Sequence, residues 1–296
     1  MTILIDGKQI ARNIRRQVKQ KIAALDTKPR FVVVQVGSNP ASTIYVEHKL
    51  KACRKVGIET VNVNLDASVT ESDLRGLIEG FNHSSAFHGI LVQLPLPAHI
   101  RLEPVIEEIH PNKDVDGLHP LNVGRLTVRS KIPYLHPCTP WGIVHMLDTV
   151  YPKEGEVSGL RAKKIVVIGQ SLIVGRPLAI MLQNEGATVS MCDRFTGDLK
   201  SEVRGADVIV SATGVVGLID QGIIDATGKS DVTVIDAGIA RLGDKIVGDA
   251  DVDIYDKVNA ITPVPGGVGP VTVAFLMRNI LKAYCIQHEM PIPTFH

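Results

Sequence analysis

What most constrains this chain is a regular alternation of short β-rich runs with helical segments. "RFVVVQVG" (30–37), "ETVNVNL" (59–65) and "HGILVQL" (88–94) are strand-length runs dominated by aliphatic residues. Between them lie "NPASTIYVEHKLKACRKVG" (39–57) and "ESDLRGLIEGFN" (71–82), whose apolar residues recur at helical spacing. Such an order predicts parallel strands joined by helical crossovers. After "PCTPWGIVHMLDTV" (137–150) the pattern restarts with "KKIVVIG" (163–169), "ATVSMC" (187–192), "DVIVSATG" (207–214) and "VTVIDAGI" (232–239). Two α/β domains are therefore expected, in keeping with 296 residues, a length beyond what one core usually organises.

The first helical segment has well-marked ends. Asn39 can cap free amides, Pro40 suits the first turn, and Gly57 can take the left-handed stop. Its periodicity puts Tyr45, Val46, Leu50, Ala52, Cys53 and Val56 on one side and Glu47, His48, Lys51, Arg54 and Lys55 on the other. Lys49 falls in the middle of the apolar side. Two readings stand: a stem that snorkels its ammonium to water, or a lysine in a ligand pocket whose desolvation makes it a base near neutral pH.

In open parallel sheets ligands bind beyond the carboxyl ends of the strands, where Gly37 and Gln93 fall. Gln93 interrupts the apolar run "ILVQLPLP" and must find partners if buried, either nearby backbone or a ligand. Asp114 and Asp116 stand in the turn-rich "HPNKDVDGLHPLNVGRL" (110–126), where they read equally as turn residues. A calcium loop would need more acids in register.

In the second half, "KKIVVIGQSLIVGRPLAIML" (163–182) reads as a buried strand, a glycine-containing turn and a helix opening near Gly175 to Pro177. Backbone amides and the helix dipole there suit a phosphate. Ser171 stands where the second glycine of a dinucleotide fingerprint is expected, but Asp193 ends the next strand a little over twenty residues after Gly169, where an acid can bind an adenosine ribose. The alternative is an α/β domain with tight turns and no nucleotide. "ITPVPGGVGPVTVAFLMRNI" (261–280) lacks the P-loop lysine and either brings bare backbone to a ligand or reverses the chain.

A net charge of +1 gives no general attraction to nucleic acid or an anionic membrane. Cys53, Cys138, Cys192 and Cys285 lack paired spacing, so no metal site or disulfide framework is expected. No apolar run reaches the roughly 18 residues of a membrane span, and the amino terminus lacks a signal-type apolar region. A soluble cytoplasmic protein with small-molecule partners is the expectation.

Taken together, "VGSNPASTIYVEHKLKAC", "GILVQLPLP", "KDVDGLHPLNVGRL", "PCTPWGI", "GQSLIVGRP" and "TPVPGGVGP" resemble, in order and over nearly the whole chain, the bifunctional methylenetetrahydrofolate dehydrogenase and methenyltetrahydrofolate cyclohydrolase family. The resemblance implies an α/β fold of two domains: an amino-terminal catalytic domain (1–140) and a Rossmann-type NADP-binding domain (141–272), with a carboxyl-terminal helix (273–296) returning to the first and folate in the cleft between them. It implies that Lys49 is the catalytic lysine, Gln93 its hydrogen-bond partner, Tyr45 the aromatic lining the folate pocket and Asp116 the pterin-binding acid. Pro265, Gly266 and Gly267 resemble the segment closing over substrate, and Gly169, Gln170, Ser171, Thr213 and Ile239 occupy cofactor positions. Gln170 and Asp193 depart from what many relatives carry, so the cofactor is open. Asp193 argues for NAD. Arg194 offers a charged fork to a 2'-phosphate and argues for NADP, with Asp193 then turned to solvent or paired with a base. NADP is the reading adopted, with no metal and a homodimer as in the family. Two alternatives are another NAD(P)-dependent oxidoreductase on a similar scaffold and a non-catalytic folate- or nucleotide-binding protein.

Overall fold

The computed structural model describes residues 2–295. Its first elements are β1 (Ile3–Leu4), α1 (Gly7–Ala23), β2 (Arg30–Val36), α2 (Pro40–Lys55), β3 (Glu59–Leu65), α3 (Glu71–His83), β4 (Gly89–Val92), α4 (Leu102–Glu108), α5 (Pro120–Thr127) and α6 (Cys138–Val150). Then follow β5 (Lys164–Ile168), α7 (Gly175–Asn184), β6 (Thr188–Cys192), α8 (Leu199–Glu202), β7 (Val208–Ser211), α9 (Gln221–Ala226) and β8 (Thr233–Asp236). A hairpin of β9 (Ala240–Leu242) and β10 (Lys245–Val247), β11 (Ala260–Ile261) and α10 (Val268–Gln287) complete the chain.

The chain divides into two compact units. One comprises Arg12–Cys138 with Val273 onward. Its sheet has the order β3-β2-β4, all parallel. Val32, Val33 and Val34 of the central β2 are all buried, because helices cover both faces of a middle strand, whereas the edge strand β3 keeps half-exposed positions. Leu74 and Ile78 of α3 pack on Val32, Val34, Ile90 and Val92. That helix starts where Thr70 accepts the Asp73 amide at 3.1 Å.

The other unit comprises residues up to Ala11 with Thr139–Thr272. Its six-stranded sheet has the order β1-β11-β8-β7-β5-β6 and is wholly parallel. Residues 2–11 therefore group with this unit, whereas the resemblance places them within the 1–140 domain. The reason is backbone pairing: β1 lies beside β11, and the Ile5 amide donates to Ile261 O at 2.9 Å. Among the described residues no helix is long and apolar enough to cross a membrane, and no group of three or more His, Cys, Asp or Glu could hold a metal ion.

Candidate active site

In the sheet of the first unit, β2 has β3 on one side and β4 on the other, so successive crossovers diverge and a crevice opens beyond the carboxyl ends of β2 and β4. Gln93 directly follows β4, and Lys49 reaches it from α2. Lys49 Nζ donates to Gln93 Oε1 at 3.1 Å, and Gln93 Nε2 donates to Leu94 O at 2.6 Å, which orients the amide. Lys49 is 7 % exposed, so its ammonium does not snorkel to water. Val46, Leu50, Cys53 and Val56 are buried beside it, as helical spacing required. Tyr45, one turn earlier, lies with its ring 4.4 Å from Nζ and keeps 36 % exposure.

The electrostatics of this group follow from burial. Desolvation pulls Lys49 below the ordinary lysine value, opposed by the charge of Asp116. Burial raises Asp116, with Lys49 acting against it. Burial, then Asp116, pushes the Tyr45 phenol up to about 12. Beside Asp116 is a small pocket walled by Ile90, Val92, Leu94, Leu102, Ile106 and Leu118.

The two aspartates, of which the resemblance singles out Asp116, have separate fates. Asp114 is 2 % exposed and spends its carboxylate inside the loop, accepting from the amides of Gly117 (3.1 Å) and His119 (2.8 Å) and from Asn122 Nδ2 (2.9 Å). Burial raises it to about 6. Asp116 is the one whose charge acts on Lys49. Lys113 was not singled out by motif; its Nζ donates to the carbonyls of Phe81, Asn82 and Ser84 at 3.0, 2.8 and 2.7 Å, closing the carboxyl end of α3. Asn279 is a further buried polar residue, and its place within "VAFLMRNILKAYC" is a sequence signal of the same kind as Lys49.

In the second unit the strand order around β5 diverges in the same way, toward β6 and toward β7. Gly169 follows β5 with φ +105°, and a Cβ there would meet Ala212 O at 2.5 Å. A Cβ on Gly175 would lie 1.8 Å from Gly169 O. These contacts admit only glycine, and they bring the first turn of α7 against the end of the strand. Val174 gives that helix no side-chain cap. Bare backbone and an uncapped helix start fit a phosphate-bearing nucleotide.

The other expected cofactor residues flank this turn. Ser171 Oγ accepts from the Val174 amide at 3.2 Å, and Gln170 O accepts from Arg176 Nε at 3.1 Å. The Thr213 amide and Oγ1 both donate to Asp249 Oδ2 at 2.8 Å, which pins the segment after β7. Ile239 is largely exposed. Arg194 is exposed with its guanidinium 4.8 Å from the Phe195 ring. Asp193 is half-exposed, and its Oδ1 accepts the Phe195 amide at 2.9 Å, because an aspartate at a strand end folds readily onto its own turn. Pro265, Gly266 and Gly267 form a tight turn in which Gly266 has φ +117° and the Gly267 amide donates to Pro263 O at 2.7 Å. A Cβ on Gly7 would stand 1.9 Å from Gly267 O, so two backbones meet there.

Comparison with known proteins agrees with both halves of this description. Residues 5–116 match the family model described as tetrahydrofolate dehydrogenase/cyclohydrolase, catalytic domain, and residues 137–288 match its NAD(P)-binding domain. The Aquifex aeolicus protein named bifunctional protein FolD is 43% identical over 289 residues, 96% of each chain. The crystal structure of the Campylobacter jejuni bifunctional enzyme FolD, a methylenetetrahydrofolate dehydrogenase/cyclohydrolase, is similar with a TM-score of 0.90 at 41% identity, covering 98% of this chain and 100% of that one. The Trypanosoma brucei methylenetetrahydrofolate dehydrogenase-cyclohydrolase, complexed with NADP cofactor and inhibitor, has a TM-score of 0.88 at 34% identity, covering 97% and 98%. This chain belongs to the tetrahydrofolate dehydrogenase/cyclohydrolase family.

Proposed function

We propose that the protein oxidises methylenetetrahydrofolate to methenyltetrahydrofolate with NADP and hydrolyses the product to formyltetrahydrofolate. The observation that carries this reading is the buried Lys49 bonded to Gln93 with Asp116 nearby, a desolvated amine held by a neutral partner. The turn at Gly169 and the start of α7 would hold the phosphates of NADP, which would supply a hydride acceptor for the bridging carbon. No base is needed for that step, because the two folate nitrogens supply the electron pairs that expel hydride. The chain's part is juxtaposition and exclusion of water.

Hydrolysis makes a different demand. Water adds to the methenyl carbon and loses a proton, then one carbon–nitrogen bond breaks as its nitrogen is protonated. Lys49 as the free amine takes the first proton and returns it, while Gln93 fixes Nζ without adding a like charge. Asp116 accepts from the amino edge of the pterin, and Tyr45 offers its exposed ring face to the aromatic part of folate. Arg194 is assigned to the 2'-phosphate. A homodimer in the cytoplasm is the accompanying reading, checked by sedimentation and fractionation.

One spectrophotometric experiment tests the proposal: methylenetetrahydrofolate and NADP are mixed with the enzyme, and the methenyl signal is followed as it forms and decays. Formation with decay is expected. Oxidation of another substrate with none of folate would point to a different oxidoreductase, and binding without turnover to a non-catalytic protein.

A further inference from the structure

The side chain that best resists a purely structural explanation is Asn279. It sits on α10, 0 % exposed, among Phe275, Leu276, Met277 and Ile280, a polar side chain in an apolar stretch of helix. Its Nδ2 donates to Val115 O at 2.9 Å and His136 O at 2.7 Å and lies 3.3 Å from Cys138 Sγ. Carbonyl oxygens surround that terminal atom, so it must be the nitrogen. Its Oδ1 is then left buried without a partner. A buried acceptor left unmatched is a persistent penalty, retained here together with a donor that joins two distant segments.

Those two segments frame Asp116. Val115 precedes it directly. The Asp116 carbonyl accepts from the Cys138 amide at 3.2 Å, and the Cys138 thiol donates to Val115 O at 3.2 Å. Gly117 follows so close to the second segment that a Cβ would stand 2.2 Å from His136 C. Farther along α10, Gln287 Nε2 donates to Asn112 O at 3.2 Å and His88 O at 2.8 Å, which grips the upstream end of the same loop. The helix thus holds the Asp116 loop at two points, and neither point touches Lys49 or Gln93.

We propose that Asn279 is a positioning residue that holds Asp116 in register for the pterin, through Val115 and the His136–Cys138 segment. The inference rests on the folate reading above. It separates from simple stabilisation because the nucleotide-side residues and the Lys49–Gln93 pair share none of these bonds.

The test compares the unmodified enzyme with Asn279→Ala, measuring KM for methylenetetrahydrofolate, KM for NADP and the ratio of cyclohydrolase to dehydrogenase turnover in protein shown to be folded by circular dichroism. Expected are a rise of roughly 10-fold in folate KM, an unchanged NADP KM and an unchanged ratio. Where the alanine variant does not fold, the constants are read from Asn279→Asp, which keeps the volume. Its carboxylate faces carbonyl oxygens, so its folate KM relative to the unmodified enzyme should improve as pH falls and one oxygen regains a proton. Folate KM unaltered in folded variants, or both KM values rising together, overturns the positioning role. Absence of folate turnover in the unmodified enzyme would instead overturn the functional reading itself.

Discussion

The crevice beyond β2 and β4 and the crevice beyond β5 and β7 arise from one topological rule, yet their linings are opposites. The first presents ionisable side chains withdrawn from water, Lys49 with Gln93 and Asp116. The second presents glycines whose Cβ would strike neighbouring backbone, Gly169 and Gly175, and the uncapped start of a helix. The difference teaches that the fold supplies only the place. A site that moves a proton needs a titratable group shifted by desolvation, and a site that holds phosphate needs bare amides.

The comparison breaks most sharply at Lys49. Lys49→Met keeps the stem and removes the amine, so cyclohydrolase turnover should fall by about 10² to 10⁴-fold while folate binding survives. Formyl product at the unmutated rate, followed by decay of the methenyl absorbance, would refute the role. The pH profile sharpens the same point. The base is the deprotonated amine, and burial lowers its pKa, so hydrolysis should rise with pH and level off below the ordinary lysine value of about 10.4. A rise that tracks the ordinary value contradicts a desolvated base.

Smaller losses probe each side alone. Asp116→Ala removes a charged acceptor for the pterin and should weaken folate binding by about 1.5 to 3 kcal/mol with both activities reduced; titration of folate by fluorescence quenching reads it, and unaltered affinity returns Asp116 to a turn residue. Gly175→Ala drives a methyl into Gly169 O, costing about 1 to 3 kcal/mol of stability and raising KM for NADP but not for folate. Thermal melts and the two KM values decide, and a shift confined to folate would reverse the assignment of the crevices. The smallest effect is at Arg194, an exposed side chain whose contact with phosphate is screened. Arg194→Ala should lower the NADP-to-NAD ratio of catalytic efficiencies by up to about 5-fold at one ionic strength. An unaltered ratio leaves Arg194 as a turn residue.

Much of this was legible along the chain. Strand and helix periods announced two parallel α/β units, and the buried positions of α2 are those that helical spacing selects, Lys49 among them. The glycines after β5 were visible as a nucleotide turn despite Ser171. Less legible was anything depending on who meets whom. Asp114 and Asp116 differ by two positions in one turn-rich loop, and only the Gly117 and His119 amides reveal which is consumed internally. Asp193 folds onto the Phe195 amide, which neither cofactor reading anticipated.

The chain by itself determined the fold class and the place of Lys49 on the apolar side of its helix, because both follow from periodicities of two and 3.6 residues that act over a few turns. Tertiary structure alone decided that β1 joins the sheet beside β11, that Lys113 closes the end of α3, and that Asn279 grips Val115 across 164 positions of sequence. These contacts obey no local period. They are selected when buried carbonyls and amides must find partners, and those partners become neighbours only once the two cores have formed.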